Sequence, residues 1–289
     1  LNVSEELVRL KSGHKSGNVT EERNDLENMA VQPSKGKSAL NHHDPFEGRG
    51  HFYNSASEFS PLARKTERDL LMELLPLEPG QLVCDALAGG GYLAQGIDKK
   101  TRGQVRLICI EPSKSFAQGI ALKYRPVIGP VEQMPFHDLS MDQVGSLAEL
   151  HHVAKKAAFF KEVFRILKPG GRFAVGDVLL GSTVAGFLND AVDRFTETGH
   201  HGMFVRAGEL TSLLAQAGFT NIREKYRQFY WPFPDSNTLV KFCHLLFGMV
   251  KADLPQVEAE LKKYFAIEVT PNSAKLPWSL VYAVGTKRD

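Results

Sequence analysis

The stretch from Leu82 to Gly96, LVCDALAGGGYLAQG, constrains the fold more than any other part of this 289-residue chain. An apolar run, Leu82-Val83-Cys84, ends at Asp85, and three consecutive glycines, Gly89 to Gly91, lead into Tyr92-Leu93-Ala94. That order predicts a buried strand, a tight turn and the first turn of a helix. Such a turn brings a ligand close to backbone amides at a helix N-terminus.

The remaining segments repeat the pattern. Ahead of the turn, aromatics at Phe52, Tyr53 and Phe59 precede a helix start expected at Ser60-Pro61, since Ser is a favoured N-cap and Pro suits the first helical position. Leu62, Leu70, Leu71, Leu74 and Leu75 supply its apolar face, closed by Pro79-Gly80. A helix is expected over 92–100, then strands at 105–110, 126–128 and 143–147. The helix expected over 153–167 should bury Val153, Ala157, Phe160, Phe164 and Leu167, and Lys168-Pro169-Gly170-Gly171 should stop it before a strand at 172–180. Strands alternating with helices argue for an α/β, doubly wound parallel sheet. Outside the alternation lie an amphipathic segment at 183–198, a helix at 209–217, a strand near 222–230 and a last strand at 280–286. Between those last two strands, an insertion over about 231–278 carries Trp231, Phe233, Phe242, Leu246 and Met249.

Composition excludes several classes. Thirty-five basic residues against 33 acidic leave a net charge of +2, no footprint for a nucleic acid. No apolar run approaches the roughly 20 residues of a membrane span. The first residues, LNVSEELVRLKSGHKSG, lack the apolar core of a signal peptide, and residues 1–45 read as a polar arm. His42-His43-Asp44 within that arm reads as a solvated loop, and no metal site is expected, because the histidines and the three cysteines match no ligand spacing. Cys84 and Cys109 fall in expected buried strands as small hydrophobes, which suits a reducing, cytoplasmic setting.

Gly89-x-Gly91-x-x-Ala94 fits the dinucleotide pattern, so the glycines alone leave the cofactor open. Asp85 discriminates. A carboxylate at the strand end repels a pyrophosphate but attracts a ligand bearing an ammonium and a neighbouring sulfonium, which favours S-adenosylmethionine over NAD. Glu111, at the end of the second strand, can accept both ribose hydroxyls of either cofactor.

Four segments taken together, VCDALAGGGYLA, LICIEPS, VEQMPFHDLSMDQVGSLAELHHV and FKEVFRILKPGGRFAVGDV, resemble the class I S-adenosylmethionine-dependent methyltransferases. The similarity is to the small-molecule branch that includes ubiquinone/menaquinone and sterol methyltransferases, and it spans about 60–230 of a domain expected over 46–289. It implies a Rossmann-like sheet of seven strands, mostly parallel, with an antiparallel last strand and a helical lid or insertion. It further implies that Asp85, Ala86, Gly89 and Gly91 hold the methionine part of S-adenosylmethionine, and that Glu111 and Pro112 serve the ribose and adenine. Val131 and Glu132 would read the adenine edge, and Leu147 would line the methionine pocket. Two positions depart from the pattern: Leu87 stands where the family usually has glycine, and Pro130 where it usually has an acidic residue.

Methyl transfer is an in-line displacement on an activated electrophile, so positioning is the main demand, and a base is needed only when the nucleophile must lose a proton. His151 and His152 after the fourth strand, and His200 and His201 after the amphipathic segment, are the candidate bases. Tyr53, Trp231 and Phe233 are candidate walls of an acceptor pocket. The expected function is methyl transfer to a small, largely apolar, aromatic or quinone-like molecule at oxygen or carbon, releasing S-adenosylhomocysteine. The alternatives are a non-methylating use of the same cofactor and a non-catalytic scaffold; a homodimer is left open.

Overall fold

The computed structural model describes residues 48–200 and 202–288; the expected arm, with His42, His43 and Asp44, lies outside the described residues. Eight strands form one sheet: β1 (Leu82–Ala86), β2 (Arg106–Glu111), β3 (Pro126–Ile128), β4 (Met141–Leu147), β5 (Leu167–Asp177), β6 (Thr220–Phe233), β7 (Glu268–Thr270) and β8 (Ser273–Thr286). Their order is β3-β2-β1-β4-β5-β8-β6, with β7 against β8. β1 runs parallel to both β2 and β4, and β8 is antiparallel to β5 and β6. The mostly parallel, doubly wound, Rossmann-like sheet with an antiparallel last strand is therefore present, with β7 as one strand more than the seven expected.

Burial explains the arrangement. β1 is buried along its whole length, as parallel strands covered on both faces must be. Alternate residues serve opposite faces: Val83, Leu107 and Cys109 pack on one side, Cys84, Ile108 and Ile110 on the other. The helices that cover these faces are α1 (Arg49–Phe59), α2 (Lys65–Met72), α3 (Tyr92–Thr101), α4 (Lys114–Ala117), α5 (Lys156–Ile166) and α7 (Glu209–Ala217). Between α5 and α7, α6 starts at Thr183–Phe187, widens into a π-helical stretch, Leu188–Val192, and ends at Asp193–Phe195. The helices α8 (Ser236–Phe247) and α9 (Leu254–Tyr264) follow β6.

The structure corrects three expectations. The aromatic segment before Ser60 is itself a helix, α1, and Ser60-Pro61 lies in the turn that ends it. Its buried residues are Gly50, Tyr53 and Ala56, too small a set of apolar side chains to announce an amphipathic helix. Gly50 is required there, because a Cβ would stand 2.2 Å from the backbone of Ser115. Leu62, expected in the core, is 56% exposed in that turn. Second, α5 begins at Lys156, which rotates its face: Phe159, Phe160, Val163 and Ile166 are buried, while Ala157 is exposed and Phe164 half-buried. Third, β6 and β8 are 14 residues each and pair from Thr220–Thr286 to Phe233–Ala274. The last strand thus begins at Ser273 rather than 280, Trp231 and Phe233 belong to β6, and the insertion shrinks to 234–272.

The chain leaves β1 toward β2 and β3, then returns to β4 and β5 on the other side, so the carboxyl ends of β1 and β4 form the switch point where such sheets bind ligands. Both strands are followed there by a non-glycine residue in the left-handed region, Leu87 at φ 61° and Ala148 at φ 59°. Leu87 keeps the backbone shape that glycine supplies more easily, at about 1–2 kcal/mol of strain. Its side chain is 6% exposed within the apolar cluster on one face of the sheet, and removing such a side chain costs about 2–5 kcal/mol. Packing outweighs strain, so Leu87→Gly, although it restores the family residue, should lower unfolding free energy by roughly 1–3 kcal/mol. A stabilised Leu87→Gly variant in urea titration would reverse that ordering.

Candidate active site

The glycine turn is held by the two carboxylates expected to face the cofactor. Asp85, 1% exposed, accepts a hydrogen bond at Oδ2 from the Ala94 amide, 2.9 Å away, tying the end of β1 to the first turn of α3. Burial, with the nearby Glu111 adding to it, pushes its carboxyl up to about 8, against the lowering effect of the Ala94 bond. Glu111 accepts from the Gly89 amide at Oε2 and from the Ser113 amide at Oε1, both at 2.8 Å, and so joins the turn to the end of β2. Gly89 and Gly91 adopt φ of 53° and 80°, and a Cβ on Gly90 would stand 2.2 Å from Asn54 Oδ1 of α1. Helix α1 therefore lies directly over the turn.

Two cavities meet at this end of the sheet. The smaller is bordered by Asp85, Leu87, Ala88, Tyr92, Leu93 and Leu147. The larger has aromatic lining from Trp231, Phe247, Trp278 and Phe116, and polar lining from Arg49, His151, His152 and His200. Tyr53, Arg64 and Glu149 border both. Trp231 and Trp278 stack at 4.1 Å between ring centroids, and Phe247 lies nearly parallel to both.

A buried polar network holds this junction. Arg64 pairs with Glu67 and donates from Nη1 to the Tyr53 hydroxyl at 2.9 Å. Glu67 also accepts from Trp231 Nε1 at 3.1 Å, and the Tyr282 hydroxyl donates to its backbone carbonyl at 3.0 Å. Elements far apart in sequence thus share one ion pair. Glu149, two residues past β4, is pushed up to about 8, first by burial and then by Glu111, while Arg64 and Arg49 act in the opposite direction.

The histidines converge from two loops. His151 is buried; its Nδ1 lies 2.9 Å from Asp177 Oδ1 at the end of β5, and its backbone amide donates to the other oxygen at 3.3 Å. His152 Nε2 stands 3.8 Å from Glu149 Oε2, and burial, then His151, His200, Arg49 and Lys156, hold its imidazole well below the usual range. His200 arrives on the loop after α6. Its amide donates to Asp193 Oδ1 at 2.6 Å, and its Nδ1 lies 3.3 Å from Asn189 Oδ1. Asn189 belongs to the π-helical stretch and Asp193 opens the segment after it, a distortion that recurs at functional sites.

Set against the sequence reading, Asp85, Leu147, Tyr53, Trp231, His151, His152 and His200 border one or both cavities. Ala86, Gly89, Gly91, Glu111, Pro112, Val131 and Glu132 border neither; Pro112 is exposed, and Val131 is 1% exposed within the core. Phe233 packs on Phe242 at 5.2 Å, away from the larger cavity, because residues two apart on β6 share a face and only Trp231 reaches the junction. His201 lies outside the described residues. Sequence reasoning missed Glu149, Arg49 and Arg64; Glu149 alone carried a signal, its place just beyond a strand end at the switch point.

A family profile described as "Methyltransferase domain" matches residues 84–175, from the strand before the turn to the strand that ends at Asp177. An uncharacterized methyltransferase from Synechocystis is 32% identical over 54% of this chain and 74% of its own length. The 27-O-demethylrifamycin SV methyltransferase of Amycolatopsis mediterranei is 31% identical over 49% of this chain; there the match spans 55% of that enzyme. Among solved structures, a Thermotoga maritima S-adenosylmethionine-dependent methyltransferase described as a possible histamine N-methyltransferase superposes with a TM-score of 0.57 at 21% identity, covering 84% of this chain and 98% of the other. Sheet order, glycine turn and switch-point cavity define a methyltransferase fold. The chain belongs to the class I S-adenosylmethionine-dependent methyltransferases, enzymes that move a methyl group from that cofactor to an acceptor. Membership decides the cofactor for S-adenosylmethionine over NAD, and makes the chain an enzyme rather than a scaffold. Among the described residues, no helix is long and apolar enough to cross a membrane.

The Asp85 carboxyl has a sharp consequence for stability. Its folded-state value, about 8, exceeds the ordinary 3.8, so the folded chain holds a proton that the unfolded chain releases between those values. Its contribution is fully favourable below about pH 3.8 and is lost as pH rises toward 8. Asp85→Asn keeps an acceptor for Ala94 and has no charge to bury. The variant should melt higher than the parent, by about 2–4 °C for each kcal/mol relieved, with a gap that widens from pH 5 to pH 8. A gap that narrows with pH in thermal melts would refute this.

Proposed function

We infer that this enzyme methylates a small, largely apolar molecule at oxygen or carbon, in the larger cavity. One observation carries the reading: Tyr53, Arg64 and Glu149 are common to the two cavities, so a cofactor in the smaller and an acceptor in the larger would meet at that boundary. The smaller cavity suits the methionyl group by charge. Asp85 and Glu149 complement an ammonium and a sulfonium, two groups that a pyrophosphate-bearing dinucleotide lacks. Glu111, with Pro112 beside it, would hold the ribose side once the turn opens, and the backbone near Val131 and Glu132 the adenine. When bound, S-adenosylmethionine supplies the electrophilic methyl group.

The larger cavity gives an acceptor two kinds of surface. Trp231, Trp278 and Phe247 would take a flat apolar body, whose burial at roughly 25 cal/mol per Å² provides affinity without charge. Glu149 and the histidines would hydrogen-bond the hydroxyl, or the oxygen beside an acidic carbon, and fix its direction toward the boundary. Fixing that direction is worth about 7–11 kcal/mol in favourable cases. Helix α1, lying over the turn, would exclude water. A cytoplasmic setting fits the same reading, since Cys84, Cys109 and Cys243 are all free and buried. The balanced charge supports a small acceptor over a nucleic acid.

Incubation with methyl-labelled cofactor and panels of phenols, quinols, fatty acids, amines and RNA tests this. Label should enter a phenolic or quinol acceptor; incorporation confined to amines or RNA would overturn the reading. Phe247→Ala should raise the acceptor KM about tenfold, equal to 1.4 kcal/mol, with cofactor affinity unchanged. Glu149→Gln should lower kcat by about 10²-fold or more. Asp85→Ala should abolish calorimetric binding of S-adenosylhomocysteine, and unchanged affinity would remove Asp85 from the cofactor site.

A further inference from the structure

No metal was expected from the spacing of histidines and cysteines along the chain. In space the outcome differs. One ring nitrogen from each of His151, His152 and His200 lies within 4.8 Å of the others, the sole such group of three or more potential ligands among the described residues. We propose that these three histidines form a binding site for a single divalent transition-metal ion of the zinc kind, placed in the polar lining of the acceptor cavity.

The geometry argues for a built site rather than a chance meeting. His151 and His152 are neighbours on the 3₁₀ turn Leu150–His152 after β4, with ring centroids 4.1 Å apart. His200, nearly 50 positions later, closes the triangle at 5.4 and 5.2 Å. Its loop is fastened at several points. Asn189 Oδ1 accepts from the Gly202 amide while Asn189 Nδ2 donates to the Gly202 carbonyl, Met203 donates its amide to the His151 carbonyl, and Arg49 donates to the Gly199 carbonyl. Phe204 backs the rings of His151 and His200 at 5.2 and 6.0 Å.

Two of the three rings have the outer partner that metal-bound imidazoles use. Metal-bound imidazoles commonly donate their other N–H to a carboxylate or carbonyl, which fixes the tautomer and aims the remaining nitrogen at the ion. His151 has Asp177, with no exposure, at Nδ1, and His200 has the Asn189 carbonyl oxygen at Nδ1; both acceptors leave Nε2 as the basic nitrogen. Three imidazoles around zinc at about 2.0–2.1 Å stand about 3.3 Å apart, so the 4.8 Å limit leaves each ring a small closing movement. Nitrogen donors of this type select zinc, cobalt, nickel, copper or iron over magnesium and calcium, which take oxygen ligands. Three protein ligands leave a tetrahedral ion one open position. Because all three histidines border the larger cavity, that position is reachable by an oxygen of a bound molecule or by water. Glu149, 3.8 Å from His152, is the nearby carboxylate that could complete the set.

The full-length chain, stripped by chelator and dialysed, is titrated with Co²⁺ and followed by visible absorption. The expected result is one cobalt per chain with the d–d bands of a low-coordinate nitrogen site, displaced by Zn²⁺ and indifferent to Mg²⁺. His200→Ala and His152→Ala should each remove the bands while S-adenosylhomocysteine binding and the circular dichroism spectrum persist. Asp177→Asn should weaken uptake about 10–100-fold. A His42→Ala/His43→Ala double variant should bind as the parent does. Should His200→Ala fail to fold, the partly exposed His152 decides alone. No uptake by the folded parent, bands unchanged in both histidine variants, or uptake lost with His42 and His43 would each overturn the proposal. Acceptor methylation is scored separately, so a failed acceptor assignment leaves metal uptake as an independent result.

Discussion

The Arg64–Glu67 pair is the interaction on which the working end of the molecule depends. Glu67 has no exposure and Arg64 is 7% exposed, so both charges have lost most of their water. Such a pair recovers its desolvation cost only when further hydrogen bonds satisfy it; here Tyr53 and Trp231 supply them, while Tyr282 fixes the Glu67 backbone carbonyl. Those partners come from α1, β6 and β8. The ion pair therefore joins a helix that precedes the sheet to a hairpin that ends it, directly beside the boundary of the two cavities. It is also encircled by aromatic faces: the Arg64 guanidinium carbon lies 5.3 to 5.8 Å from the ring centroids of Tyr53, Tyr92 and Trp231. Removing either charge would leave the other buried without a counterion, which fixes this junction more rigidly than apolar contact alone.

Proline and glycine act through local backbone geometry and made some segments legible, although Ser60-Pro61 proved to end one helix rather than start another, and β5 already includes Lys168–Gly171. The third strand runs over Pro126–Ile128 and the α7 helix over Glu209–Ala217, both as expected. The glycine turn likewise has the strand before it and the helix after it. Helix α1 was not legible, since its inner face of glycine, tyrosine and alanine is chosen for close approach to Ser115 and to the turn. Periodicity measures hydrophobic bulk and is blind to a face selected for smallness. The rotated face of α5 has a related origin: Phe159, Phe160 and Phe164 offer two overlapping stripes, and the sheet's Phe173 selects the one containing Phe159 and Phe160.

The site was legible in part, and the division has a physical basis. Residues at strand ends beside the turn could be placed because topology alone sends ligands there. Asp85 and the histidine pair after β4 are of that kind. Glu149 shares that position two residues past β4, but its unusual environment comes from burial and the approach of Glu111, which sequence does not show. His200 could be named but not located. Its meeting with His151 and His152 depends on Asn189 and Asp193 reaching one loop, and that depends on a π-helical stretch with no sequence signature.

The long β6–β8 hairpin has a consequence of its own. Beyond the part paired to β5, its outer half carries α8, α9 and the stacked pair Trp231 and Trp278, while the glycine turn sits on β1 at the other side of β4. The proposed acceptor wall and the glycine turn thereby come from separate stretches of polypeptide, which meet at the cavity boundary and where α8 packs on α1. Residues 234–272 pair with none of the strands β1 to β5. A lineage built on this plan is free to exchange the molecule it modifies while inheriting its methyl donor intact, in the manner of a tool with a fixed handle and a replaceable head.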